Sequence, residues 1–202
     1  MLRDGLFLML ARGRPDCRTE GPANFANPLP RKTVTMKTFN VLVLCTHNSA
    51  RSILGEALFN HLGQGRIHAF SAGSQPSGEV DPLALATLAA HGVPWPGTGV
   101  PRSKSWDEFA GPAAPRFDFL FTVCAGAAGE ACPVWPGHPA TVHWGIPDLA
   151  QVEPPAARRA AFEAAYSQLA RRIAAFLKLP LETMSTAAIV AAAQEIHNGA
   201  GQ

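Results

Sequence analysis

The chain has 202 residues, 47% of them hydrophobic and 16% charged, which is enough apolar sequence for a buried core and excludes a wholly disordered chain. Residues 1 to 36 hold six of the 17 basic residues and three of the 15 acidic ones, which leaves 11 basic against 12 acidic residues in the remainder. That balance argues against a nucleic-acid-binding protein.

Residues 1 to 36 are rich in Arg, Pro, Gly and Asn and have no hydrophobic period, so we expect a disordered extension; the alternative is a start codon assigned too far upstream, with Met36 as the true start. Its apolar stretch GLFLMLA is only seven residues long and is followed by Arg12 and Arg14, which argues against a secretory signal. Elsewhere no apolar run approaches the roughly 20 residues of a membrane span, so we expect no membrane partner.

Four cysteines are too few and too unevenly placed for a disulfide framework: Cys17, Cys45, Cys124 and Cys132. Reduced thiols are typical of cytosolic proteins, so the sequence predicts a cytoplasmic location.

From residue 37 onward, predicted strands and helices alternate. Short apolar runs predict strands at 39–45, 67–71, 117–123 and 140–144. Longer periodic segments predict helices at about 50–63, 82–91, 155–178 and 183–197, with a helical turn at 105–110. This alternation predicts an α/β fold with a parallel sheet: one three-layer domain at 37–180, with helices flanking the sheet, and a C-terminal helical extension at 181–202.

The segment VLVLCTHNSARS, residues 41–52, places Cys45 at the end of the first predicted strand and Arg51 at the start of the first helix. A turn of this kind aims backbone N–H groups and the positive end of the helix dipole at one point, where an oxyanion can bind. The planar guanidinium of Arg51 can bind two of its oxygens. The predicted anion-binding residues are Thr46, His47, Asn48, Ser49, Ala50, Arg51 and Ser52.

The same positive field is expected to lower the pKa of Cys45 and make its thiolate a nucleophile. Ser52 can donate a hydrogen bond to the sulfur, and Asn48 can hold the loop through its amide. The alternative is that Cys45 is an inert core thiol.

These residues resemble a known family. VLVLCTHNSARS resembles the phosphate-binding loop of the low-molecular-weight protein tyrosine phosphatase superfamily, and CTHNSARS resembles its arsenate reductase branch. Further stretches agree: FSAGS at 70–74, SKSWDEF at 103–109, FTVC at 121–124, GEACPVWPG at 129–137 and HWGIPD at 143–148. The resemblance covers residues 38–178 and implies the fold of that superfamily, with a central four-stranded parallel sheet.

The resemblance also implies that Asp148 is the general acid, facing the thiolate across the bound anion. In the family a proline usually follows this aspartate, whereas here Leu149 follows it. The alternative is a surface aspartate that caps the next helix.

Cys124 and Cys132 favour a reductase over a phosphatase, because reduction of arsenate requires two electrons and thiols can supply them. In the reductases that this chain resembles, a second cysteine attacks the first, arsenite is released, and a third cysteine resolves the disulfide. The implied partners are arsenate, with phosphate or sulfate as competing anions, and an external thioredoxin or glutathione/glutaredoxin reductant, with no tightly bound cofactor. Cys124 could instead be a core residue.

Two other activities stay open at this stage. One is hydrolysis of phosphate monoesters by a phosphatase, although such enzymes place tyrosines near the acid and the one tyrosine here is Tyr166 on a later helix. The other is an oxyanion-binding or redox-sensing module without turnover.

A metal site is not expected, because the spacing of Cys124 and Cys132 is unlike that of zinc ligands. We call residues 45–52, which carry the predicted anion-binding groups, the anion loop. Some family members hold a monovalent cation behind this loop. In this sequence Asn48, Glu56 and Ser71 occupy the corresponding positions.

Overall fold

Four parallel strands form the sheet, in a computed structural model that describes residues 37–129, 135 and 137–199. The strands are β1 (Phe39–Cys45), β2 (Ile67–Gly73), β3 (Phe119–Thr122) and β4 (Ala140–His143). The helices are α1 (Arg51–Gly63), α2 (Pro82–Ala90), α3 (Ala125–Gly129), α4 (Pro155–Phe176) and α5 (Thr186–Gly199), with a 3-10 helix at Trp106–Phe109. The predicted extension at 1–36 lies outside the described residues.

The strand order is β2-β1-β3-β4, so β1 lies between β2 and β3, with Val43 paired to Ser71 on one side and Phe121 on the other. The connections from β1 and from β2 run in opposite directions across the sheet. In open parallel sheets, ligands bind beyond the carboxyl end of the strand where this reversal occurs. The predicted parallel α/β fold is confirmed, and Cys45 lies at that end of β1.

The two faces of the sheet are covered differently. Val41 and Val43 point into the main core, which includes buried side chains of α1, α4 and α5. Leu42 and Leu44 point to the other face and pack in a smaller core around Phe109 and other aromatic side chains. Alternate residues of β1 therefore serve two cores, as the two-residue period of a strand requires.

Helix α1 lies very close to β1 at Gly55. A Cβ atom added there would be 2.9 Å from Cγ1 of Val43, which is closer than such contacts normally are. Glycine inside a helix costs about 1 kcal/mol relative to alanine. Here that cost is offset by close packing, which brings the first turn of α1 near the end of β1.

Helix α5 packs on the same core through Ile189 and Ala193. The indole Nε1 of Trp144, directly after β4, donates a 2.9 Å hydrogen bond to the carbonyl oxygen of Ala193. Among the described helices, none combines the length and the hydropathy that crossing a membrane would require.

Candidate functional site

The sulfur of Cys45 is enclosed by the loop that links β1 to α1. Cys45 is 2% exposed, and its Sγ lies 2.9 Å from Oγ of Ser52 and 3.1 Å from the backbone nitrogen of Asn48, which donates to it. The first turn of α1 thus folds back over the end of β1. The predicted contact between Ser52 and the cysteine is present.

Asn48 holds this loop, as predicted. Its backbone has the left-handed φ of 47°, which asparagine tolerates better than most residues. Its Nδ2 donates 2.9 Å hydrogen bonds to the hydroxyls of Ser52 and Ser71, and its Oδ1 accepts the backbone N–H of Lys104 at 2.7 Å. One buried amide therefore joins the anion loop to β2 and to the segment that precedes the 3-10 helix.

Glycine is required where β2 meets the loop. A Cβ atom on Gly73 would lie 2.5 Å from the carbonyl oxygen of Thr46 and 2.9 Å from the nitrogen of Asn48. Any side chain at this position would displace the loop backbone.

A buried pair of opposite charges lies behind the loop. The hydroxyl of Ser71 donates to Oε2 of Glu56 at 2.5 Å, and Nζ of Lys104 donates to the same oxygen at 2.8 Å. The predicted cation ligands Asn48, Ser71 and Glu56 are thus connected by hydrogen bonds, but an ammonium group lies against the carboxylate. Lys104 is not among the predicted site residues, although it lies in the SKSWDEF segment.

The expectation of a depressed thiol pKa is wrong for the empty site. Burial raises the pKa of Cys45 above its ordinary value, and the proximity of Cys124 raises it further. Hydrogen bonds from the Ser52 side chain and from the backbone N–H groups of Asn48 and Ser52 act in the opposite direction but do not outweigh burial. In the empty site burial therefore favours the thiol form of Cys45 over the thiolate.

Arg51 and Asp148 face each other at the mouth of the site. Nη2 of Arg51 lies 3.4 Å from Oδ1 of Asp148, and Nη1 donates to the carbonyl oxygen of Ile146 at 3.3 Å. The side chain of Asp148 is 59% exposed, and its Oδ1 accepts the backbone N–H of Ala150. That hydrogen bond lowers the pKa of Asp148, and the charge of Arg51 lowers it further.

Asp148 is not a helix cap, because α4 begins at Pro155 and its N-cap residue is Pro154. The alternative considered for it is therefore wrong.

Cys124 lies two residues beyond the end of β3 and is 3% exposed. Its Sγ is 3.4 Å from Oγ1 of Thr46 in the anion loop, and it accepts the backbone N–H of Ala127 at 3.4 Å. A Cβ atom on Gly126 would lie 2.7 Å from the same Thr46 hydroxyl oxygen. The close fit joins the short helix α3 to the loop around Cys45, while Cys132 lies outside the described residues.

A small, partly enclosed pocket lies above Cys45. Its lining residues are Cys45, His47, Ser49, Ala50, Arg51, Asp81, Asp148, Leu149 and Ala150. No phenylalanine, tyrosine or tryptophan is among them. Nowhere in the described residues do three or more His, Cys, Asp or Glu side chains form a group that could hold a metal ion.

Comparison with known families identifies the family to which the fold belongs. The model of the low molecular weight phosphotyrosine protein phosphatase family matches residues 40–185, a range that contains every described residue of the site. The match ends just before α5 begins.

The individual proteins that this chain resembles include several arsenate reductases. The chain is 30% identical to an arsenate reductase of Brevibacillus brevis over 119 residues, which is 59% of this chain and 83% of that one. It is also 30% identical to an arsenate reductase of Bacillus licheniformis over 120 residues, covering 58% and 79% of the two chains. The crystal structure of an arsenate reductase from Archaeoglobus fulgidus superposes with a TM-score of 0.53 at 26% identity, over 69% of this chain and 99% of that one.

Proposed function

From the premise that this chain belongs to the low molecular weight phosphotyrosine protein phosphatase family, we propose that it reduces arsenate to arsenite. The observation that carries the proposal is the second buried thiol. Cys124 is held against the anion loop by Thr46, at the end of the strand next to β1. A hydrolase completes its cycle with water and has no need of this thiol, whereas a reductase needs two electrons.

In the first step Cys45 attacks the bound arsenate. The N–H groups of residues 46–52 and the guanidinium of Arg51 hold the anion. A bond forms between sulfur and arsenic, one arsenic–oxygen bond breaks, and the thiol proton passes to solvent. The leaving hydroxyl takes a proton from Asp148 and departs as water.

Electrostatic effects on Asp148 and on Cys45 favour this step. The negative charge of the bound anion raises the pKa of Asp148, which favours the protonated form that can act as an acid. The Ser52 hydroxyl and the Asn48 N–H stabilise the developing charge on the Cys45 sulfur, because both groups lie within hydrogen-bonding distance of it.

In the second step the thiolate of Cys124 attacks the Cys45 sulfur. A disulfide bond forms, the sulfur–arsenic bond breaks, and its electron pair stays on arsenic, which is thereby reduced from As(V) to As(III) and leaves as arsenite. The contacts of Cys124 support this role, because the Thr46 hydroxyl and the N–H of Ala127 both stabilise a thiolate.

Cys132 then attacks the disulfide, and the pair of Cys124 and Cys132 is reduced by an external thiol of the thioredoxin or glutathione/glutaredoxin type. No tightly bound cofactor is needed, because all the electrons come from thiols. A reaction that depends on reduced thiols belongs in the cytoplasm.

Hydrolysis of aryl phosphates is the competing activity, because both reactions use the same anion loop. The described lining of the pocket has no phenylalanine, tyrosine or tryptophan against which an aryl group could pack, which disfavours it. Incubation with arsenate, NADPH and either a thioredoxin or a glutaredoxin system tests the proposal. We expect arsenite and stoichiometric NADPH oxidation; brisk hydrolysis of p-nitrophenyl phosphate without arsenite formation would identify a phosphatase instead.

A further inference from the structure

The loop that carries Asp148 is anchored by a side chain of α4. Residues 144–154 connect β4 to α4 and contain no strand or helix. Within this loop Leu149 is 2% exposed, and its carbonyl oxygen accepts a 3.3 Å hydrogen bond from Nε of Arg158. The residue after the acid is thus fixed through both its side chain and its backbone.

The same guanidinium extends to the opposite side of the mouth. Nη2 of Arg158 donates to Oδ2 of Asp81, whose side chain is 13% exposed. The backbone nitrogen of Asp81 in turn donates to the carbonyl oxygen of Ser49 in the anion loop, at 2.9 Å. Asp81 and Arg158 therefore connect the loop that holds the anion to the loop that holds the acid.

We propose that Arg158 and Asp81 are positioning residues for Asp148, an inference that rests on the proposed function. Leu149 leaves this loop without the fixed φ that a proline would impose on it. The hydrogen bonds of Arg158 supply the missing constraint. They fix the distance between the carboxyl group and the bound anion, on which proton transfer depends.

Arg158 acts through Asp148 and does not bind the anion. Its Nε and Nη2 are engaged by Leu149 and Asp81, and its guanidinium carbon lies 5.8 Å from the ring centroid of Phe162. The cavity above Cys45 has Asp81 among its lining residues but not Arg158. Removal of Arg158 should therefore change the rate of the chemical step more than the affinity for arsenate.

Two variants separate this role from a structural one. Arg158→Gln removes both hydrogen bonds of the guanidinium. Asp81→Asn removes its charged partner but keeps the N-cap of α2, where Oδ1 accepts the N–H of Leu83 at 2.9 Å and asparagine caps equally well. Arg159→Gln is the matched control, because Arg159 is exposed on the same helix.

Single-turnover arsenite release without reductant, measured across a pH series, gives the rate of the first steps. We expect about a tenfold decrease in the maximal rate and a displaced alkaline limb of the pH profile for both Arg158→Gln and Asp81→Asn. For Arg158→Gln, which does not line the pocket, we also expect less than a twofold change in half-saturating arsenate. Arg159→Gln should match the wild type in all three. Unchanged rates in both Arg158→Gln and Asp81→Asn would overturn the proposal.

A double-mutant cycle with Asp148→Asn provides the decisive test. If Arg158 acts only through Asp148, the double variant is no slower than Asp148→Asn alone. Independent losses that multiply would overturn the proposal. If the wild type forms no arsenite, the proposed function fails, and the same cycle is then measured on p-nitrophenyl phosphate, whose cleavage also uses the acid. Non-additive losses there would still support the positioning role of Arg158, and additive losses would refute it.

Discussion

The ammonium group of Lys104 lies 2.8 Å from Oε2 of Glu56, and their side chains are only 10% and 8% exposed. The same carboxylate oxygen accepts the hydroxyl of Ser71, which accepts in turn from Asn48. A cation supplied by the chain itself thus neutralises the acidic group behind the anion loop.

Lys104→Met should destabilise the protein strongly, because it leaves the Glu56 carboxylate buried without a partner. Breaking a buried pair on one side costs about 3–5 kcal/mol, whereas an exposed pair contributes about 1 kcal/mol or less. Chemical denaturation measures the difference. Lys37→Met is the control, because Lys37 pairs with Asp118 on the surface with 58% of its side chain exposed.

The reduction rate of the wild-type enzyme should be the same in potassium and sodium salts at constant ionic strength, because the ammonium group of Lys104 already contacts the Glu56 carboxylate. Steady-state reduction rates in the two salts test this expectation. A strong activation by potassium would mean that the lysine side chain leaves its carboxylate when the ion is present.

The reactivity of Cys45 should increase with pH in the absence of anions. Because burial raises the pKa of its thiol, we expect alkylation by iodoacetamide to reach half its maximum at a higher pH than for an exposed cysteine. Peptide mapping of the alkylated product assigns the site, and Cys45→Ser gives the background. Full reactivity near pH 7 would show that the N–H groups and the dipole of α1 outweigh burial.

Asp148→Asn should slow single-turnover arsenite release by about 100-fold, since general acids contribute 10²–10⁴-fold. The rate of the wild type should decrease as the pH rises and the acid of the enzyme–anion complex loses its proton, and the variant should lose this dependence. In the empty protein the hydrogen bond from Ala150 and the charge of Arg51 lower the pKa of Asp148. The ionised carboxylate therefore stabilises the fold above its ordinary pKa, and this contribution is lost as the pH falls through the lowered value. With 59% of that side chain exposed, the effect on stability should be small.

Thr46→Val should slow formation of the disulfide and leave the attack on arsenic nearly intact. The hydroxyl is 3.4 Å from the Cys124 sulfur and can stabilise its thiolate, whereas the backbone N–H of residue 46 is kept. Quenched-flow samples analysed by mass spectrometry should then contain more of the arsenic adduct on Cys45. Thr38→Val is a matched control, because Thr38 lies near the start of β1 and donates to Gly65.

The order of the thiols can be tested by trapping. With arsenate and no reductant, Cys132→Ser should release about one arsenite per protein and stop with a disulfide between Cys45 and Cys124. Cys124→Ser should stop earlier, at the adduct on Cys45. A trapped disulfide that lacks Cys45, or a wild-type rate for Cys132→Ser with every reductant, would contradict the relay.

Much of the fold could be predicted from the sequence, because β1 and α1 carry clear hydrophobic patterns and the anion loop lies between them. The helix α3 was missed, since five residues of glycine and alanine carry no periodic signal. The strand predicted at 117–123 is shorter in the structure because its regular pairing to β1 covers only Phe119–Thr122.

The charge interactions of the site are made between residues that lie far apart in the sequence. Lys104 lies 48 residues from Glu56, and Arg158 lies 77 residues from Asp81, so neither pair leaves a local pattern. The thiol pKa was predicted in the wrong direction because the sequence indicates a helix N-terminus but not how completely the sulfur is buried.

The close contact between Gly55 and Val43 makes this enzyme sensitive to a change far from its mouth. A single methyl group at position 55 would act as a spacer between helix and strand, and the first turn of α1 would move as a rigid unit with Arg51 and Ser52. Helix propensity favours alanine over glycine by about 1 kcal/mol, but forcing an extra methyl group into a buried contact costs about 1–3 kcal/mol. We therefore expect a laboratory selection for thermal stability to retain Gly55, and Gly55→Ala to lower both the melting temperature and the affinity for anions.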